Sequence, residues 1–412
     1  MDLLKHIDNP KQLEQLYRNN KSAFKTAFNL IAPNITDPKL RAFWNERLNY
    51  NSSEISWGSR KDIGFVLIAS VLAGLIAKIP TIFSLDQDLF FQRNIGFVVF
   101  PALTSYFIWS RGLPLKKIAF TSLLYLIALI YINVLPITEK SDTLNLACIH
   151  LPFLLWSLLG FSFVSGAYRN SSKILEYLRY NGDLIIMTGL ILISGGLLTG
   201  ITIGLFSVIG IQIEEFYFEY VGVFGLAAAP IVGTYLTQSN PQLVDKISPV
   251  IAKIFSPLVL IMLLIYLVAI IYSGKDPYND RDFLLIFNAL LIGVMAIILF
   301  SVSETSNQNK GPYSIYILLS LSIVTIIVNI IALSAILYRI SEWGITPNRL
   351  AVLGGNFLML IHLALITFQL FKQASMKGDI QGVERSIVVY LPVYILWGSI
   401  VTLLFPILFQ FK

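Results

Sequence analysis

Eleven apolar runs follow one another along most of the chain, at 62–84, 90–110, 117–136, 143–166, 183–210, 214–237, 249–273, 282–303, 313–339, 347–371 and 386–410. A hydrocarbon core about 30 Å thick takes roughly 20 residues of α-helix to cross. Inside it each backbone amide must be satisfied within its own segment, so separate runs of this length have to be helices. Charged residues make up only 13% of the 412, against roughly a quarter in soluble domains. The expectation is an all-α polytopic membrane protein with about 11 transmembrane helices over residues 61–412.

Residues 1–60 have a different texture. Asn9-Pro10 and Asp37-Pro38 each read as a helix N-cap followed by proline at the first helical position. Leu13, Leu16, Tyr17, Phe24, Ala27, Phe28 and Ile31 then share one helical face, and Leu40, Phe43, Trp44 and Leu48 share another. An amphipathic helical hairpin of this size buries too little surface to stand alone. It is expected to pack on the membrane face of the protein or to dock a cytoplasmic protein partner.

Charge sets the expected orientation. With the N-terminus inside, 22 of the 30 Lys and Arg fall on the cytoplasmic side, and only Arg93, Lys140, Lys275, Arg281, Arg339, Arg349 and Lys412 fall outside. That bias is the positive-inside pattern, so the net charge of +6 reports orientation and gives no reason to expect nucleic acid. The opening MDLLKHIDNPKQ lacks the apolar core of a signal peptide, and the single cysteine, Cys148, cannot form an internal disulfide. These features together fit a prokaryotic inner membrane, with the lipid bilayer as the first partner.

Small residues recur every fourth position at Gly196, Gly200 and Gly204, and again at Gly225, Ala229 and Gly233. In lipid, such stripes let helix backbones approach, so helix packing is the expected role; a broken, moving helix at Pro230 is the alternative. Segments one to three and seven to nine also share an order, with the chemically similar loops SLDQDLFFQR and GKDPYNDRDF.

Ionisable and polar groups at membrane depth are the functional candidates. They are His150, His362 and Asn329, with Asn288 and Asn356 beside them, and Glu219 one turn inside the start of segment six. A cross-helix hydrogen bond explains each neutral group equally well, and helix-dipole complementarity explains Glu214 and Glu215. No zinc-ligand spacing, phosphate-cradling loop or nucleophile elbow occurs, so neither cofactor nor metal is expected.

The densest polar stretch is YRISEWGITPNRL, residues 338–350. Gly344 suits the left-handed residue that ends a helix, Thr346 an N-cap and Pro347 the first residue of the next helix. Glu342 and Arg349 each oppose the dipole of their own helix. A Glu342–Arg349 ion pair across the corner accounts for both, and an anion site formed by Arg339 and Arg349 is the alternative. Together with SPLVLIMLLIYLVAII at 256–271, this stretch resembles the domain-of-unknown-function family 4153 of bacterial integral membrane proteins, in which an Arg-Ile-x-Glu-Tyr-Gly corner ends in Thr-x-x-Arg. Arg339, Glu342, Gly344, Thr346 and Arg349 match that pattern, and Trp343 replaces its tyrosine. The resemblance implies a bacterial membrane protein and assigns no catalytic residue.

Three functions are compatible with these features. The first is a transporter or permease binding a small polar or lipid-like solute. The second is a membrane sensor or scaffold working through residues 1–60, and the third is a membrane enzyme acting on lipid or glycan.

Overall fold

A computed structural model describes residues 6–7, 9–19, 21–32, 35, 37–49, 60–136, 141–208, 211–241, 247–273, 278, 281–305, 312–375 and 380–411. The chain divides into two compact units, Met1–Ile55 and Ser56–Lys412.

The first unit contains three helices, α1 (Pro10–Asn19), α2 (Lys21–Ile31) and α3 (Pro38–Asn49). Asn9 Oδ1 accepts from Gln12 N at 3.1 Å, and Asp37 Oδ1 accepts from Lys39 N at 2.8 Å, so each asparagine or aspartate caps the helix that follows it. Where a single first helix was expected there are two, Pro10–Asn19 and Lys21–Ile31. The fold-back buries Leu13, Phe24, Phe28, Ile35 and Trp44 in one core. The Arg47 guanidinium closes it, bonded to both Glu14 oxygens (2.8 and 2.9 Å) and lying over the Tyr17 and Trp44 rings. The expected hairpin is therefore a three-helix unit with its own aromatic centre.

The second unit is wholly helical among the described residues: α4 (Arg60–Ile82), α5 (Gln87–Ser110), α6 (Leu115–Val134), α7 (Asp142–Phe163), α8 (Ser171–Val208), α9 (Glu214–Ser239), α10 (Ile247–Ser273), α11 (Arg281–Thr305), α12 (Pro312–Trp343), α13 (Pro347–Ala374) and α14 (Ile380–Leu408). Among the described residues nine are long and apolar enough to cross a membrane; α5 and α10 are the other two of the eleven expected. α5 is set apart by a polar patch, since Arg93 and Asn94 are buried within it. Two helices contain a π-turn, Tyr217–Gly222 in α9 and Ile400–Leu404 in α14.

Packing gathers α4, α5, α7, α8 and α9 around one buried cluster and α8 with α10–α14 around a second. Trp156 of α7 lies against both, and its indole donates to Asn181 Oδ1 at 2.8 Å. The helices alternate in direction, and hydrogen bonds across their turns define two rims. One carries the 83–86 and 344–346 turns, Ser141 at the start of α7 and the chain end, where Ser141 Oγ donates to Phe411 O at 3.0 Å. The other carries the 111–114 and 164–170 turns, tied by Lys117 Nζ donating to Ser165 O at 2.7 Å.

The small-residue stripes divide in a way their spacing does not show. Gly233 meets α8, where a β-carbon would press on Thr188 Oγ1 at 2.8 Å and Leu184 Cδ1 at 3.3 Å, and Ala229 is buried beside it. Gly196, Gly200, Gly204 and Gly225 have nothing within 4 Å of a β-carbon position and face outward. For these four the expected helix packing within the chain is corrected: the last half of α8, a helix of 38 residues, is mostly exposed and carries Gly196, Gly200 and Gly204, and Gly225 lies on an exposed position of α9. Close approach occurs instead at glycines facing aromatic rings, Gly74 against Phe224, Gly160 against Tyr177, Gly182 against Phe300 and Gly354 against Trp397.

Candidate functional site

The 344–346 corner is built from local chain chemistry. Gly344 has φ +75°, and its amide bonds Ile340 O at 2.9 Å, which ends α12. Thr346 is extended and its hydroxyl accepts from Arg349 N at 3.3 Å, with Pro347 opening α13. Arg349 does not clasp Glu342. Its Nη1 donates to the carbonyls of Trp343 (2.9 Å) and Gly344 (2.7 Å), so the guanidinium caps the C-terminus of the preceding helix. Carbonyls left without intrahelical donors, at the negative end of a helix dipole, favour a cation there. Arg349 thus opposes its own helix N-terminus because it serves its neighbour's C-terminus.

The same device recurs elsewhere. Arg93 of α5 donates to Asn133 O and Leu135 O, both at 2.9 Å, at the end of α6. Lys117 of α6 serves the end of α7. Arg179 of α8 donates to Ser303 O at 2.6 Å in the last turn of α11. These buried or half-buried cations act as caps on the carbonyl ends of neighbouring helices.

Glu219 has a partner on a distant helix. Its Oε1 lies 2.7 Å from Lys78 Nζ, and that ammonium also sits 4.5 Å from the centre of the Tyr220 ring. Lys78 is only 6% exposed, so its buried charge is met by a carboxylate that is itself 37% exposed. The π-turn of α9 spans Glu219 and Tyr220 and brings both to bear on α4.

The deepest polar groups gather around the α12–α13 hairpin. Asn329 lies 14 residues before the last residue of α12, and His362 lies 15 residues after the first of α13. At 1.5 Å per residue both stand about 21–23 Å from the corner, at matched depth. Val328 and Leu363, next to them in the chain, belong to the same buried cluster. Both polar side chains are fully buried. His362 Nδ1 meets the Tyr394 hydroxyl at 3.1 Å, and its ring stacks on Tyr390 with centroids 4.5 Å apart. Tyr390 is held in turn by donating to Leu358 O at 2.9 Å. Among the described residues, His362 Nε2 and both polar atoms of the Asn329 amide have no hydrogen-bond partner. Ser322 and Thr325 extend the buried polar face of α12, but each hydroxyl returns to its own helix. Asn356 Nδ2 donates to Asn288 Oδ1 across α13 and α11 at 2.9 Å.

Of the sequence candidates, the structure brings Asn329 and His362 to one level, and joins Arg339 and Arg349 through Trp343, over which both guanidinium groups lie. His150 stands apart on α7, half-buried, with Nδ1 on the Leu146 carbonyl of its own helix at 2.8 Å. Tyr390, Tyr394 and Lys78 escaped sequence reasoning. The tyrosines sit in an ordinary apolar run, and Lys78 lies four residues from the end of its helix, where a lysine normally reaches water. Asp276 and Asp280 of the acidic loop, and with them much of the proposed loop similarity, lie outside the described residues. No protein family, curated protein or solved structure matches the chain.

Proposed function

We propose that this multi-pass membrane protein is a transporter or permease, and that a small polar solute binds between α12, α13 and α14 at the level of Asn329 and His362. One observation carries the reading: a buried amide and a buried imidazole nitrogen, at the same depth of one hairpin, have no partner among the described residues. Each such group costs about 1–3 kcal/mol relative to a satisfied one, and an apolar side chain of similar size would avoid that cost. A solute with both a donor and an acceptor would satisfy the amide from both sides, and Tyr390 and Tyr394 would hold the imidazole in place. The Lys and Arg asymmetry supports a bacterial inner membrane with the N-terminus cytoplasmic.

The test is access from water. In a Cys148→Ala background reconstituted into liposomes, Asn329→Cys and His362→Cys should react with a small charged methanethiosulfonate added to one side. Failure of both cysteines to react from either side would sink the transport reading. A second reading, a sensor or scaffold, rests on the N-terminal unit, whose Leu30 and Phe43 are exposed outside its closed aromatic core.

A further inference from the structure

The Trp343 corner carries more positive charge than its capping role uses. Arg339 lies 5.3 Å and Arg349 5.7 Å from the centre of the same indole ring, measured from each guanidinium carbon. Among the described residues no carboxylate lies within ion-pair distance of either, Glu342 included. Arg349 spends one nitrogen, Nη1, on the Trp343 and Gly344 carbonyls, while the Arg339 guanidinium makes no hydrogen bond among the described residues. Two cations held against one aromatic ring repel each other, and the repulsion grows as water is excluded. An anion bridging them would relieve it, and planar guanidinium groups suit the oxygens of a phosphate.

The surroundings identify which anion. The corner ends two long apolar spans, Ser314–Trp343 and Pro347–Ala374, so it stands at headgroup level. Tyr278, Tyr338 and Trp343 pack edge-to-face in a chain, with centroids 5.6 and 6.3 Å apart, an interfacial aromatic arrangement. Ile345 at the tip is 65% exposed, and Leu337, on the membrane side of Arg339, is 48% exposed. A free phosphate has no use for these apolar flanks, whereas a phospholipid lays its acyl chains along them.

We propose that Arg339 and Arg349, both held against Trp343, bind the headgroup phosphate of an anionic phospholipid in the leaflet at this rim.

Thermal unfolding of the full chain in neutral detergent tests this, with short-chain phosphatidylglycerol, short-chain phosphatidylcholine and inorganic phosphate as the added probes. Phosphatidylglycerol should give a saturable rise in Tm that the other two do not reproduce. Arg339→Gln breaks no hydrogen bond, so it should keep the basal Tm and lose the rise; Arg339→Lys should keep most of it. An equal rise with phosphatidylcholine would show that no anion is recognised, and an equal rise with inorganic phosphate would show a site for free anions. An undiminished rise in Arg339→Gln, or an Arg339→Gln chain that fails to fold while Arg339→Lys loses the rise, would overturn the site as well.

Discussion

Arg349, Arg93, Lys117 and Arg179 share one physical role. Each comes from one helix and neutralises the carbonyl end of another. In water such carbonyls are solvated at little cost, but near a bilayer an unmet carbonyl is expensive, and a cation beside a helix C-terminus gains from both hydrogen bonding and the dipole. Hydrogen bonds from a charged donor contribute about 1.5–3 kcal/mol each. Arg349→Gln should therefore lower the Tm of the detergent-solubilised protein clearly, and Glu342→Gln should leave it nearly unchanged. Equal losses from the two variants in a thermal melt would restore the direct ion pair that the structure replaces. Asn329 is the opposite case, a residue whose polar atoms are buried without a cross-helix bond such as the one Asn356 donates to Asn288.

At the scale of elements, association in this chain relies on glycines that admit aromatic rings. A β-carbon at Gly74 or Gly354 would run into Phe224 or Trp397, whereas at Gly196 it would meet open space. Forcing a methyl group into a filled contact costs about 1–3 kcal/mol, while glycine to alanine in an unobstructed helix gains roughly 0.5–1 kcal/mol. Gly74→Ala and Gly354→Ala should each lower thermal stability, and Gly196→Ala should hold or raise it. A stability loss at Gly196 comparable to that at Gly354 would show that the α8 stripe is packed after all. The two π-turns are also element-scale devices. In α14 the turn leaves the Thr402 and Leu403 carbonyls for the Tyr131 hydroxyl, at 3.2 and 3.0 Å, and in α9 the turn brings Glu219 and Tyr220 to Lys78.

At the scale of the molecule, the two units have separate cores. The first depends on five buried side chains, of which Trp44 is the largest and touches Tyr17, Phe24 and Phe28. Replacing a buried tryptophan by alanine costs about 3–5 kcal/mol, as much as a domain of this size has to lose. Trp44→Ala should abolish hydrogen-exchange protection in residues 10–49 and leave the cooperative melt of the membrane unit in place. A matching collapse of both would show that the units fold as one.

Much of this architecture was legible in sequence because its causes are local. Run length against bilayer thickness sets the membrane class, and Asn9, Asp37, Gly344, Thr346 and Pro347 act within a turn of where they stand. The candidate site was legible only in part: Asn329 and His362 are conspicuous as polar groups in apolar runs, but their partners are not. Lys78 and Glu219 are 141 residues apart, and nothing nearby in either segment points to the other. Sequence by itself determined that the chain is a helical membrane protein and where several of its helices stop and start. Only the tertiary structure decided which cation caps which helix, which glycine stripe is packed, and that Asn329 stands unmet at the level of His362. The physical reason is the solvent. In a soluble helix the apolar stripe marks the inward face, but in lipid the outward face is apolar too, so periodicity no longer says which sides of two helices meet.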